Sequence, residues 1–311
     1  PKYKPTTKSR QNLLTRKPAD EEGCESCMRG NTRLKRKRKG TSVRQPKEFG
    51  DIITFDHKLM RDSFREPGVG GSSDTFNILD RGTGIRHCVA TTSTDAHETY
   101  MALKFFIADR AVKRAYSDNF ASLVKACYDL GIPHELSEPD IHETNTVIER
   151  ANEDLLAASR VLLVQSGLPS CFWTYAQPSY CMLDNVEPKD NGAASSWFNL
   201  HHAEFPGFKI PFGCGVFYWP SDTTRKLDKA EPRMRYGVFF GYRLAPGCSW
   251  NGEYLFADLE LFVGKNLPSD SGLQEFPRFR VQISKVVEYY SNGIHFPLKR
   301  KYDRLNCTFE G

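Results

Sequence analysis

The chain has 311 residues, a net charge of +5, 39% hydrophobic and 12% aromatic residues. That length and composition support a sizeable core and one to three domains, and they exclude a wholly disordered chain. No apolar run reaches the length of a membrane span, the Lys-rich start lacks the apolar core of a signal peptide, and nine scattered cysteines do not form a disulfide framework. The expectation is an intracellular protein of a reducing compartment, not secreted and without a membrane partner.

Charge is unevenly placed. Residues 1–48 hold fifteen Lys and Arg against five Asp and Glu, a local charge of +10 that leaves −5 for the remainder. A basic arm on a mildly acidic body predicts a polyanionic partner for the arm. Its Lys, Arg, Thr, Pro and Gly content reads as extended or disordered. Within it, Cys24-Glu25-Ser26-Cys27 is half of a zinc site: tetrahedral zinc needs four ligands and only two are near. Zinc is therefore not expected in the chain as it stands. Arg33, Lys35, Arg36, Lys37, Arg38 and Lys39 then place six cations in seven residues. Such a run is either a solvated charge patch, or a phosphate-contacting arm or nuclear import signal.

From residue 49 the pattern becomes globular. Asp51–Asp56 is a short β-rich run, and Gly, Ser and Asp mark a loop over 61–75. Phe76–Leu79 and His87–Thr92 read as strands joined by the turn Asp80-Arg81-Gly82-Thr83-Gly84. Thr94 can cap a helix carrying Tyr100, Leu103, Phe106, Ile107 and Ala111 at helical spacing. A further strand ends at Asp118. Asn119–Leu130 is helical and Gly131-Ile132-Pro133 ends it. Ser137–Thr144 is a polar loop. Asn145–Ser166 is the strongest helix, with Val147, Ala151, Leu155, Ala158 and Leu162 in one stripe and Gly167 and Pro169 as the stop. Cys171–Val186 reads as another helix kinked at Pro178. Residues 187–208 read as linker. Short strands follow at Gly213–Trp219, Arg235–Tyr242, Tyr254–Asp258 and Arg280–Tyr289, the pattern of a small β-barrel. Three strands, a helix, a strand and more helix is the order of an RNase H-like α/β fold.

Three acidic positions stand out: Asp56 closing an apolar run, Asp118 in Ser117-Asp118-Asn119, and Glu149 near the start of the main amphipathic helix. By spacing alone Asp51 or Asp80 could replace Asp56, and Glu143 or Glu153 could replace Glu149. A lone carboxylate in a first helical turn is also favoured simply by the helix dipole.

Taken in order, Cys24-Glu25-Ser26-Cys27, Asp56, Ser117-Asp118-Asn119, Gly131-Ile132, Val147-Ile148-Glu149-Arg150-Ala151-Asn152, Phe212-Gly213-Cys214, Lys226-Leu227-Asp228 and Gly237-Val238-Phe239-Phe240-Gly241-Tyr242 resemble the integrase of copia-type LTR retrotransposons. The resemblance covers about residues 24–262. It implies a mixed RNase H-like sheet flanked by helices, followed by a small all-β barrel-like domain and preceded by a basic arm. The expected boundaries are an arm with the remnant of a zinc module at 1–48, a catalytic core at 49–190, a linker at 191–210, a β-barrel-like domain at 211–295 and a basic tail at 296–311. The resemblance also implies Asp56, Asp118 and Glu149 as the catalytic and metal-binding acids for Mg²⁺ or Mn²⁺, Asn119 and Arg150 as phosphate contacts, DNA as substrate, a homo-oligomer as the active form and the nucleus as its place of action. Oxygen ligands suit such ions, and two of them stabilise charge on both the attacking and leaving oxygens of a phosphodiester.

Three departures flank the acids. Phe120 follows Ser117-Asp118-Asn119 directly where the family continues Gly-x-Glu-Phe. Glu143-Thr144-Asn145-Thr146 replaces the usual Gln-Asn-Gly ahead of Glu149, and His57-Lys58-Leu59 replaces a Gly-Pro after Asp56. Two function classes therefore stand: a DNA-integrating enzyme, and a catalytically decayed integrase-derived protein that still binds nucleic acid.

Overall fold

The computed structural model of the chain describes residues 45–60, 66–136, 146–188, 192–220, 230–267, 276, 279–288 and 293–306. Cys24, Cys27 and the cations Arg33, Lys35, Arg36, Lys37, Arg38 and Lys39 lie outside these residues, as do Glu143 and Lys226-Leu227-Asp228. Pro46–Gly311 forms one compact unit.

The first sheet is built from alternation. Strands β1 (Ile53–Leu59), β2 (Asp74–Asp80) and β3 (Arg86–Thr91) form an antiparallel meander. β4 (Ala115–Ser117) and β5 (His134–Leu136) then add parallel strands beside β1, giving the order β3-β2-β1-β4-β5. This strand order, with three antiparallel strands followed by two parallel ones, is RNase H-like. The strand at 51–56 is expected to stop at Asp56; it continues to Leu59, so Asp56 lies mid-strand. Its period of two sends Ile53, Phe55 and His57 to one face and Thr54 and Asp56 to the other.

The first face is covered by α1 (Ala96–Ile107) and α2 (Ala121–Leu130), whose Leu103, Phe106, Leu123 and Cys127 pack with Ile53, Phe55, Phe76 and Ile78. The cap of α1 is Asp95 rather than Thr94: its carboxylate accepts the Glu98 N–H at 2.8 Å. Gly131 ends α2 in the left-handed conformation, as the sequence predicts. β5 has no counterpart among the expected elements, because three residues carry too little periodicity to be seen.

The second face carries α3 (Thr146–Ser166) and, after a 3₁₀ turn at Ser170–Phe172, α4 (Trp173–Val186) with Pro178 inside it. α4 packs on β3 and also on the second sheet. Residues 187–208 correct the linker expectation. They contain α5 (Ser196–His201), capped by Ser195 Oγ accepting the Phe198 N–H at 3.1 Å. Trp197 of α5 is buried with Met182, Val186, Ile210 and Phe239, and its burial holds α5 against the core.

The second sheet contains β6 (Gly215–Tyr218), β7 (Arg235–Ala245), β8 (Ser249–Asp258), β9 (Gln282–Ser284) and β10 (Val287–Glu288), all antiparallel in the order β10-β6-β7-β8-β9. Irregularities at Phe239/Gly241 and Tyr242/Leu244 curl it. Where one strand is expected at 280–289, two occur, separated by a turn in which Ser284 Oγ accepts the Val286 N–H at 3.2 Å. The two sheets share a core: Leu163, Phe172 and Trp173 pack with Phe212, Phe240 and Phe262. Gly213 makes the approach possible. It has φ +80°, and a Cβ there would lie 2.0 Å from the Cβ of Ser166. The basic tail is in part a helix, α6 (Lys299–Leu305), held by buried Leu298 and Tyr302 in that same core, with Lys299 paired to buried Asp303. Among the described residues no helix is long and apolar enough to cross a membrane.

Candidate active site

β1 and β4 run parallel with Ile53 opposite Ala115 and Thr54 opposite Tyr116. Continuing that register by two residues sets Asp118 across from Asp56. The electrostatics agree with the placement. Burial and the neighbouring charge of Asp118 push the Asp56 carboxyl up from 3.8 to about 6, against the opposing effects of the His57 N–H and the Asn152 amide. The shortened segment after Asn119 does not carry Asp118 away. Asp118 C=O accepts the Phe120 N–H at 2.9 Å and the Ser117 hydroxyl at 3.0 Å, and α2 begins at once at Ala121.

A polar network fixes Asp56 from the α3 side. Asn152 Nδ2 donates to Asp56 Oδ2 at 2.9 Å, and Asn152 Oδ1 accepts from Asn77 Nδ2 at 2.7 Å. Asn77 pairs with Asp56 across β1 and β2. Asn152 and Asn77 are both buried, so each needs its partner. Neither is singled out by the sequence as a site residue. The available signal is an Asn three positions after Glu149, on the same helical flank, and an Asn within an otherwise apolar strand.

The opposite face of the same strand holds a second cluster. His57 Nδ1 lies 2.6 Å from Asp74 Oδ1 and Nε2 lies 3.0 Å from Thr99 Oγ1. Thr99 Oγ1 also donates to Asp95 C=O at 2.7 Å, so its remaining capacity toward His57 is as an acceptor. His57, Asp74 and Thr99 thus form a polar cluster on the face of β1 opposite Asp56.

The competing acids have structural tasks. Asp51 accepts from Lys113 Nζ at 2.6 Å and from the N–H groups of Lys47 and Glu48, which hold its carboxyl well below the usual range. Asp80 is buried in the β2–β3 turn, accepting from Gly50 N–H and from Thr83 N–H and Oγ1, while burial pushes its carboxyl up. Glu149 is exposed on the first turn of α3, one turn before Asn152, and Arg150, Asn119 and Glu153 are exposed as well. Among the described residues no three His, Cys, Asp or Glu side chains gather closely enough to hold a metal. Asp56 and Asp118 do supply an all-oxygen pair whose mutual repulsion a divalent cation would relieve, which fits Mg²⁺ or Mn²⁺. The six described cysteines form no disulfide among the described residues and are buried.

By sequence, no family model matches the chain. It is 32% identical over 149 residues to a retrovirus-related Pol polyprotein from transposon TNT 1-94 of Nicotiana tabacum, a match covering 43% of this chain and 11% of that protein. Over that stretch the chain is similar to this retrovirus-related Pol polyprotein. The matched part is about a tenth of the polyprotein's length. Two solved structures resemble the chain more distantly. One is a chain of the simian T-cell lymphotropic virus intasome in complex with PP2A regulatory subunit B56 gamma, at 14% identity and TM-score 0.46, covering 85% of this chain and 86% of that one. The other is the catalytic core domain of BIV integrase, at 15% identity and TM-score 0.36, covering 48% and 91%. The RNase H-like assignment rests on this chain's own strand order rather than on those likenesses.

Proposed function

We propose that the chain is the integrase region of a copia-type retroelement and joins element DNA ends to target DNA by two-metal phosphoryl transfer. The observation that carries this is the placement of Asp118, just past β4, beside Asp56 of β1, with the Asp56 carboxyl raised by burial and by the Asp118 charge. Asp56 and Asp118 would hold the divalent cations, with Glu149 as the third ligand. Bound there, such ions stabilise charge on the attacking and leaving oxygens of the phosphodiester. Asn152 keeps the Asp56 carboxylate aimed by donating to its Oδ2. Arg150 and Asn119, exposed beside the acids, would contact phosphates, as would the arm cations Arg33, Lys35, Arg36, Lys37, Arg38 and Lys39. Water would be the nucleophile in end processing and a DNA 3′-hydroxyl in strand transfer. The active form would be a homo-oligomer working in the nucleus.

A second reading has an observation of its own. Glu149 is exposed and belongs to no three-residue metal cluster among the described residues, which favours a decayed integrase that binds DNA without cutting it. Strand transfer of an element-end oligonucleotide in Mg²⁺ or Mn²⁺, compared between the chain and Asp118→Asn, separates the two. Products that require Asp118 support the enzyme. Binding without products supports the decayed form.

A further inference from the structure

Asn185, on α4, holds the edge strand β3 by both backbone groups of one residue. The Arg86 N–H donates to Asn185 Oδ1 at 2.8 Å, and the Arg86 C=O accepts from Asn185 Nδ2 at 2.7 Å. From that point helix and strand keep step. Two residues along β3 span about 6.7 Å, and four residues back along α4 span about 6 Å. The next facing pair is therefore Cys88 and Cys181. Both are 2% exposed, and they pack together with Leu155 of α3. The Cys88 thiol has the Cys181 sulfur as a hydrogen-bond partner. Sulfurs held this close are placed for a disulfide.

The pair ends a row of residues that crosses the sheet. Asp56 is paired with Asn77 across β1 and β2, and Asn77 with Cys88 across β2 and β3. Side chains in such a row share one face, and at about 4.8 Å per strand Cys88 lies about 10 Å from Asp56. The row meets α3 twice. Asn152 bonds both Asn77 and Asp56, and Leu155, three residues on, packs against the two cysteines. Both cysteines also border a cleft of about 720 Å³ between α1, α4 and the second sheet. The cleft is a route for solvent, but sulfurs this buried admit only a molecule near the size of water.

We infer that Cys88 and Cys181 are a redox pair that hydrogen peroxide, or another small hydroperoxide, closes to a disulfide, clamping α4 to β3 beside the polar network that holds Asp56. Burial and the hydrogen bond to Cys181 push the Cys88 thiol well above its ordinary value, so Cys88 keeps its proton and Cys181 reacts first. The Cys181 thiolate attacks one peroxide oxygen, the O–O bond breaks, and the departing hydroxide takes up the Cys181 proton as water, leaving a sulfenic acid. The Cys88 sulfur then attacks the sulfenic sulfur, the S–O bond breaks, and the Cys88 proton leaves with the hydroxide as a second water. Two thiols and one hydrogen peroxide give one disulfide and two waters: sulfur is oxidised and the peroxide reduced.

The test uses the full native chain, first reduced and then treated with hydrogen peroxide. Remaining thiols are blocked with N-ethylmaleimide before digestion, and the peptides are mapped by mass spectrometry. The expected product is a linked pair of peptides carrying Cys88 and Cys181, separated again by dithiothreitol. The bond closes a loop of about ninety residues, so the oxidised chain should melt about 5 °C above the reduced one. Cys181→Ala should lose both the link and the rise. Cys88→Ser keeps a hydrogen-bonding side chain of similar size; it should also lose both, and its Cys181 should accumulate as a sulfenic acid that dimedone traps. Recovery of Cys88 and Cys181 from the wild-type chain as maleimide adducts, a link from either to another cysteine such as Cys248, or a Cys88–Cys181 link with no rise in melting temperature overturns the clamp. None of these readouts involves DNA or a metal ion, so the integrase proposal stands or falls separately.

Discussion

Replacing Asp56 by Asn tests the core of the site without any DNA. In the folded chain the Asp56 carboxyl is raised from 3.8 to about 6. Because the folded state holds this proton more tightly than the unfolded state, the group's contribution to stability is fully present below pH 3.8 and is lost as pH rises through about 6. The total loss is about 3 kcal/mol, at 1.36 kcal/mol for each tenfold change. Asn cannot ionise, keeps the shape and keeps an oxygen for the Asn152 amide, so it removes that loss apart from about 1 kcal/mol for a weakened, no longer charge-assisted hydrogen bond. Relative to wild type, Asp56→Asn should gain about 1.5 kcal/mol between pH 5 and pH 8. Urea unfolding with chelator present, at several pH values across that range, measures the gap. A gap that stays constant with pH would show that the Asp56 carboxyl is not perturbed, and the argument that Asp118 presses on it would fall.

Four other outcomes are expected. Mn²⁺ or Mg²⁺ should raise the melting temperature of the wild-type chain by linkage and do so much less for Asp118→Asn; equal responses would remove Asp118 from the cation site. Asn152→Ala should destabilise by about 2 kcal/mol or more, because Asn77 Nδ2 and Asp56 Oδ2 each lose a buried partner; calorimetry showing no change would make the network incidental. Trp197→Ala should cost about 3–5 kcal/mol as a core truncation, whereas a true linker residue would tolerate it in a denaturant titration. Deleting Arg33–Lys39 should flatten the salt dependence of DNA binding, by about one in log–log slope per lost phosphate contact; an unchanged slope takes the arm out of the interface.

The elements that sequence makes legible are those in which local periodicity and tertiary burial agree. The β2–β3 hairpin follows from apolar runs around a Gly-containing turn. α3 follows from a stripe three to four residues apart over twenty-one residues, and the end of α2 follows from a glycine free to turn left-handed. Where a short segment is ordered by contacts from elsewhere, the local pattern is silent. β5 is three residues long and exists because β4 lies beside it. α5 looks like linker until Trp197 meets Met182 and Phe239, and α6 looks like a charged tail until Tyr302 enters the core beneath it.

The same division runs through the site. Asp56, Asp118 and Glu149 are proposed from the sequence because the chemistry would demand carboxylates and their order follows the resemblance. Their sequence neighbours cannot say how they meet. Parallel register between β1 and β4 decides that Asp56 faces Asp118, and the crossing of α3 over the sheet decides that Asn152, rather than Glu149, touches Asp56. Pairwise distances across a sheet depend on hydrogen-bond register and helix packing between segments nearly a hundred residues apart, and neither leaves a periodic trace within one segment. The sequence by itself determined the residue types, their order and the helical and strand periods. Tertiary structure alone decided that Asp56 is partly buried against Asn152 and that Asp118 and Glu149 are exposed.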